Sequence, residues 1–124
     1  MALRCLIVDD NATFLNAARQ LLEREGAEVV GLAEAVDAFP ELVRRMAPDV
    51  VLVDVDLGPV DGFDAVRRLA DELGAEGPPA ILISTYAERD LTDLVSASPA
   101  LGFVSKSELS RDAVDALLSA RRGT

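Results

Sequence analysis

Short apolar runs alternate with stretches of helical periodicity along this chain. LRCLIV, residues 3–8, reads as a buried strand. Residues 12–25 then place Phe14, Leu15, Ala18, Leu21 and Leu22 on one helical face, and Gly26 suits a left-handed cap. AEVVGLA, residues 27–33, predicts a second strand. Residues 37–46 predict a second helix with Phe39, Leu42, Val43 and Met46 inward, Pro40 in its first turn and Pro48 closing the connection. VVLVD, residues 50–54, predicts the third strand. Residues 61–73 predict the third helix, with Phe63, Val66, Leu69, Ala70 and Leu73 inward and Gly74 with Gly77-Pro78-Pro79 beyond it. AILIS (80–84) and GFVS (102–105) predict the last two strands. A short helical segment over 91–97 lies between them, and a final helix with Ser110 as N-cap runs to about Arg121.

Five strands alternating with five helices imply right-handed crossovers and a parallel sheet covered on both faces. Its fold class is therefore α/β, in one domain. In such sheets ligands bind beyond the carboxyl ends of the strands. Asp9 and Asp10 follow the first strand, Asp54 ends the third, Ser84 ends the fourth and Lys106 follows the fifth. Burying a charge is costly unless it is paired. Three carboxylates brought together must take up protons or share a cation, and an oxygen-rich, water-accessible site suits Mg²⁺. Magnesium in turn suits phosphate. A lysine opposite would hold a phosphoryl oxygen, a serine hydroxyl could donate to another, and a carboxylate can itself accept a phosphoryl group.

Taken singly, these residues have plainer readings: Asp9 and Asp10 as caps of the first helix, Ser84 bonded to backbone, Lys106 on the surface, Phe103 in the core. Their joint placement at strand ends is what argues for chemistry. Acids outnumber bases 22 to 12, which disfavours direct nucleic-acid binding. The single cysteine, Cys5, lies in an apolar run and reads as a buried thiol. That usage fits a reduced, cytoplasmic setting. No stretch is long enough to span a bilayer.

LIVDDN (6–11), VLVDVDLGPVDG (51–62), ILIST (81–85) and GFVSKSEL (102–109) resemble, in order and spacing, the motifs of the receiver domain of bacterial two-component response regulators. The resemblance covers the whole chain. It implies the flavodoxin-like (βα)5 sandwich of chemotaxis receivers, with strand order 2-1-3-4-5, as one receiver domain over 1–124 with no output domain in the chain. Under that resemblance Asp54 would accept a phosphoryl group from a histidine kinase or phosphotransfer protein. Asp10 and Asp54 would bind Mg²⁺, with Asp9 helping directly or through water and the Asp56 backbone carbonyl as a further ligand. Lys106 and the Thr85 backbone would contact the phosphoryl group, Ser84 would swing toward it, and Phe103 would turn inward as Ser84 moves. The fourth helix, fifth strand and fifth helix would form the output face toward a protein target, and phosphorylated chains could pair as a homodimer.

The sequence also departs from the family pattern. Ser107 stands where the family often has a proline with a cis bond; a non-proline cis bond costs about 3 kcal/mol, so a trans bond is expected. Gly58-Pro59 shifts the usual proline by one place, Thr85 is larger than usual, and Asp56 adds a negative side chain. Two other readings compete. Asp54-x-Asp56 after an apolar run also looks like the first motif of haloacid-dehalogenase-type phosphatases, which would make Asp56 a general acid/base. The other is a phosphorylation-independent interaction module on the same fold.

Overall fold

Apolar residues alternate between two faces of one sheet, and both faces are covered. The structure, a computed structural model, describes residues 3–34, 39–57, 60–74, 77–85, 93 and 95–122. Five strands, β1 (Arg4–Val8), β2 (Glu28–Ala33), β3 (Val50–Asp54), β4 (Ala80–Ser84) and β5 (Gly102–Ser105), pair in parallel in the order β2-β1-β3-β4-β5. Four helices are named: α1 (Ala12–Arg24), α2 (Phe39–Met46), α3 (Gly62–Leu73) and α4 (Arg111–Arg122). The sheet order is the one the resemblance implies, and β3, β4 and β5 span the predicted residues. Of the predicted helix over 91–97, residues 91, 92 and 94 lie outside the described residues, and Asp93, Val95 and Ser96 are helical. The start of the second helix at 37–38 and the Gly58-Pro59 departure also lie outside them.

The strands read as unbroken apolar runs because successive side chains serve opposite cores. Cys5, Ile7, Val50, Leu52, Ile81, Ile83 and Val104 face Leu15, Ala18 and Leu22 of α1 and Val114 and Leu118 of α4. Leu6, Val8, Val51, Val53, Leu82 and Phe103 face Val43 of α2 and Ala65, Val66 and Leu69 of α3. Phe14 and Leu21 are half-buried against the first core, and Leu42 and Leu73 against the second. Burial, with Asp49 and Asp115 adding to it, pushes the Cys5 thiol up to about 12, so it stays a protonated thiol at neutral pH. Among the described residues no helix is long and apolar enough to cross a membrane.

Helix ends follow their local chemistry. Gly26 takes the left-handed conformation after α1, with φ +91°. Asn11 caps the start of α1, accepting from the Phe14 N–H at 3.1 Å, so the cap belongs to neither Asp9 nor Asp10. Asp61 caps α3 through the Asp64 N–H at 2.8 Å, and Ser110 caps α4 through the Ala113 N–H at 3.0 Å. Two features carry no sequence signal. Asp56–Leu57 and Val60–Asp61 form a small antiparallel ribbon, and the edge strand β2 carries an extra residue where its register shifts against Cys5 and Leu6.

The ribbon returns the chain to the end of β3, where the Gly62 N–H donates to the Val55 carbonyl at 2.7 Å. A Cβ at Gly62 would run into the Asp54 carbonyl and lie 2.8 Å from the Val55 Cα. Backbone cannot give way as a flexible side chain can. Gly62→Ala is therefore expected to destabilise the fold by about 1–3 kcal/mol, the usual range for overpacking. Urea denaturation measures it, and an unchanged midpoint would contradict this close packing.

Candidate functional site

Asp9, Asp10, Asp54, Ser84 and Lys106 come together at the carboxyl edge of the sheet. β1 delivers Asp9 and Asp10, β3 delivers Asp54, β4 delivers Ser84, and a 3-10 turn directly after β5 (Lys106–Glu108) delivers Lys106. Asp9 is 0 % exposed, Asp54 4 % and Ser84 1 %, while Asp10 faces solvent. One oxygen from each of Asp9, Asp10 and Asp54 lies within 4.8 Å of the others.

The Lys106 ammonium bridges two of these acids. Its Nζ lies 2.7 Å from Asp9 Oδ2 and 3.4 Å from Asp54 Oδ2. The lysine side chain is only 14 % exposed, which is why it is no ordinary surface charge. The closer contact is Coulombic: among the described residues no hydrogen-bond donor is aligned with the buried Asp9 Oδ2. The other oxygen, Asp9 Oδ1, accepts from the Asn11 N–H at 2.8 Å. Lys106 Nζ also stands 4.2 Å from the centre of the Phe14 ring. Neither Asn11 nor Phe14 stood out in the sequence as a site residue. The only signals were an N-cap residue type at position 11 and an aromatic in the first helical turn, both ordinary for helix starts.

Other predicted residues have plainer positions. Thr85 is exposed just past β4. Phe103 is 7 % exposed and packs in the core against α3, so it already occupies the inward position that the resemblance assigns to the phosphorylated state. Asp56 sits in the small ribbon. The Lys106–Ser107 bond is trans, as expected for a non-proline residue. There the Ser105 and Ser107 hydroxyls lie 3.0 Å apart, joined across Lys106 by a hydrogen bond.

The response regulator receiver domain family matches residues 5–118. This chain belongs to that family. The receiver is 30 % identical over 103 residues to the transcriptional regulatory protein PdtaR of Mycobacterium tuberculosis, covering 83 % of this chain and 49 % of that protein. It is 30 % identical over 113 residues to a protein-glutamate methylesterase/protein-glutamine glutaminase of Thiobacillus denitrificans, covering 89 % of this chain and 31 % of that protein. This chain thus spans half or less of the length of these curated relatives. A two-component response regulator of the LuxR family from Aurantimonas sp. SI85-9A1 superposes with TM-score 0.83 at 26 % identity, over 99 % of this chain and 87 % of that one. The family match does not favour the phosphatase reading of Asp54-x-Asp56.

The acid cluster fits a small, hard divalent cation. Among the described residues, three carboxylates against one ammonium leave a formal deficit of two positive charges. Ligands on opposite sides of an octahedral Mg²⁺ are about 4.2 Å apart. The observed spread is close to that, and one acid acting through water would cover the difference. The buried Asp9 Oδ2, which meets the charge of Lys106 but no aligned donor among the described residues, has room for a share in a cation. Excess Mg²⁺ at about one hundred times its dissociation constant is expected to stabilise the receiver by about 2.7 kcal/mol. Thermal denaturation with Mg²⁺ or chelator reads this out, and Asp10→Asn should shrink the difference. Equal midpoints with and without Mg²⁺ would speak against a cation site.

Proposed function

We propose that this receiver is a phosphorylation switch whose phosphoacceptor is Asp54. The observation that carries the reading is the Lys106 ammonium held between Asp9 and Asp54 at the ends of β1 and β3. An Asp54 oxygen attacks the phosphorus of a phosphohistidine on a kinase or phosphotransfer protein. The new O–P bond forms as the P–N bond breaks, and its electron pair leaves on the imidazole, which takes up a proton. Lys106 exchanges its contact with Asp9 for a phosphoryl oxygen, placing positive charge where negative charge accumulates. The Ser84 hydroxyl and the Thr85 backbone N–H donate to the other oxygens. Asp10 and Asp54, with Asp9 directly or through water and the Asp56 carbonyl, would hold Mg²⁺, which when bound neutralises charge on the phosphoryl oxygens.

Drawing Lys106 and Ser84 toward one group biases the sheet edge that carries β5. Phosphorylation then shifts a population between two arrangements of Phe103 and its surroundings. The buried Phe103 is consistent with one of the two. A recess of about 270 Å³ along β5 and α4, lined in part by Phe103, Val104, Ala113 and Leu117, lies on the face that would carry the change to a protein target. The receiver would catalyse only its own phosphorylation and dephosphorylation, as one domain working in the cytoplasm.

With Mg²⁺ and acetyl phosphate, intact mass spectrometry should show one added phosphoryl group per chain. Asp54→Asn, or omission of Mg²⁺, should abolish it, and Lys106→Ala should slow it by an order of magnitude or more, the usual scale for losing a preorganised charge. No gain in mass with this donor or with several histidine kinases would leave a phosphorylation-independent module as the better reading.

A further inference from the structure

We propose that Phe14 is a positioning residue for Lys106, holding the ammonium over the acid cluster through the face of its ring. The inference rests on reading Lys106 as the cation that holds the phosphoryl group, and it adds a residue outside the sequence motifs. Lys106 Nζ stands 4.2 Å from the Phe14 ring centre, well inside the range at which an aromatic face attracts a cation. Asp9 Oδ2 lies 2.7 Å from the same nitrogen and Asp54 Oδ2 3.4 Å from it. The ammonium is thus bounded by a ring as well as by carboxylates, and little of the side chain meets water.

Ring and acid are fixed by one stretch of backbone. The Asn11 N–H donates to Asp9 Oδ1 at 2.8 Å, and Asn11 Oδ1 accepts from the Phe14 N–H at 3.1 Å. The turn that orients the buried carboxylate therefore also starts the helix that presents the ring. A lysine has a flexible four-carbon stem and a strongly hydrated head. Left alone it would sample many positions over the site. The ring narrows that sampling and removes water from one side of the ammonium. It does so without an acceptor oxygen, so the ammonium protons stay available to an incoming phosphoryl group. A phenylalanine serving only as core filler would show no preference for an aromatic over an aliphatic replacement of similar bulk.

The test compares the full chain with Phe14→Tyr, which keeps the aromatic face, and Phe14→Leu, which keeps apolar bulk without it. Two quantities are read: the ring-current shift of the Lys106 ε-protons by NMR, and the rate of phosphorylation by acetyl phosphate with Mg²⁺. The wild type and Phe14→Tyr should show upfield-shifted ε-protons and similar rates. Phe14→Leu should lose the shift and react about 2- to 30-fold more slowly, the range expected from removing a cation–π contact. Unshifted ε-protons in the wild type would overturn the proposal, as would a Phe14→Leu rate equal to wild type. If the wild type takes up no phosphoryl group, the assignment of Asp54 fails, and the ε-proton shift alone still decides whether Phe14 seats the lysine.

Discussion

One ammonium faces two carboxylates that water barely reaches. Lys106, entering from the end of β5, lies between Asp9 at the end of β1 and Asp54 at the end of β3. Removing either acid from water is unfavourable unless positive charge stands close by, and removing the lysine alone would leave two buried negative charges facing each other. The balance stays incomplete even with the lysine in place, because Asp10 adds a third carboxylate. That residual negative charge makes the site responsive. It favours a divalent cation, and under the proposed function it would set a cost on phosphorylation that cation and lysine offset together. The surrounding fold has to hold these groups close enough to interact while leaving the edge open to a donor.

Close packing of the sheet and its connections meets that requirement. The strand ends are fixed in register because each strand contributes apolar side chains to both cores, so sliding any strand by one residue would exchange the two sets. At the end of β3, the absence of a side chain on Gly62 lets α3 begin directly against the Asp54 backbone. After β5, the Ser105 and Ser107 hydroxyls pair across Lys106. The lysine reaches the acids from a trans backbone.

Much of this was legible in the sequence because its signals are local. The runs at 50–54, 80–84 and 102–105 match their strands since a strand buried on both faces reads as a near-continuous apolar run up to its polar end. The caps at Gly26 and Ser110 follow from residue type. The grouping of Asp9, Asp10, Asp54 and Lys106 followed from the rule that sites lie beyond strand ends and from the strand order that the family resemblance implied. What escaped was set by tertiary geometry. Two-residue strands such as Asp56–Leu57 carry no periodicity. Asp9 and Asp10 are neighbours of identical type, yet one is fully buried and the other exposed. Phe14 carries the pattern of a core residue, and only the path of Lys106 reveals that its ring meets a charge.

The most direct test of the account is chemical location of the phosphoryl group. An acyl phosphate is reduced by borohydride to the alcohol, which marks the modified aspartate as homoserine. After phosphorylation in Mg²⁺, reduction and peptide mapping, homoserine is expected at position 54 and at no other aspartate. Homoserine at position 9, 10 or 56 instead would contradict the assignment of Asp54 as the acceptor held opposite Lys106.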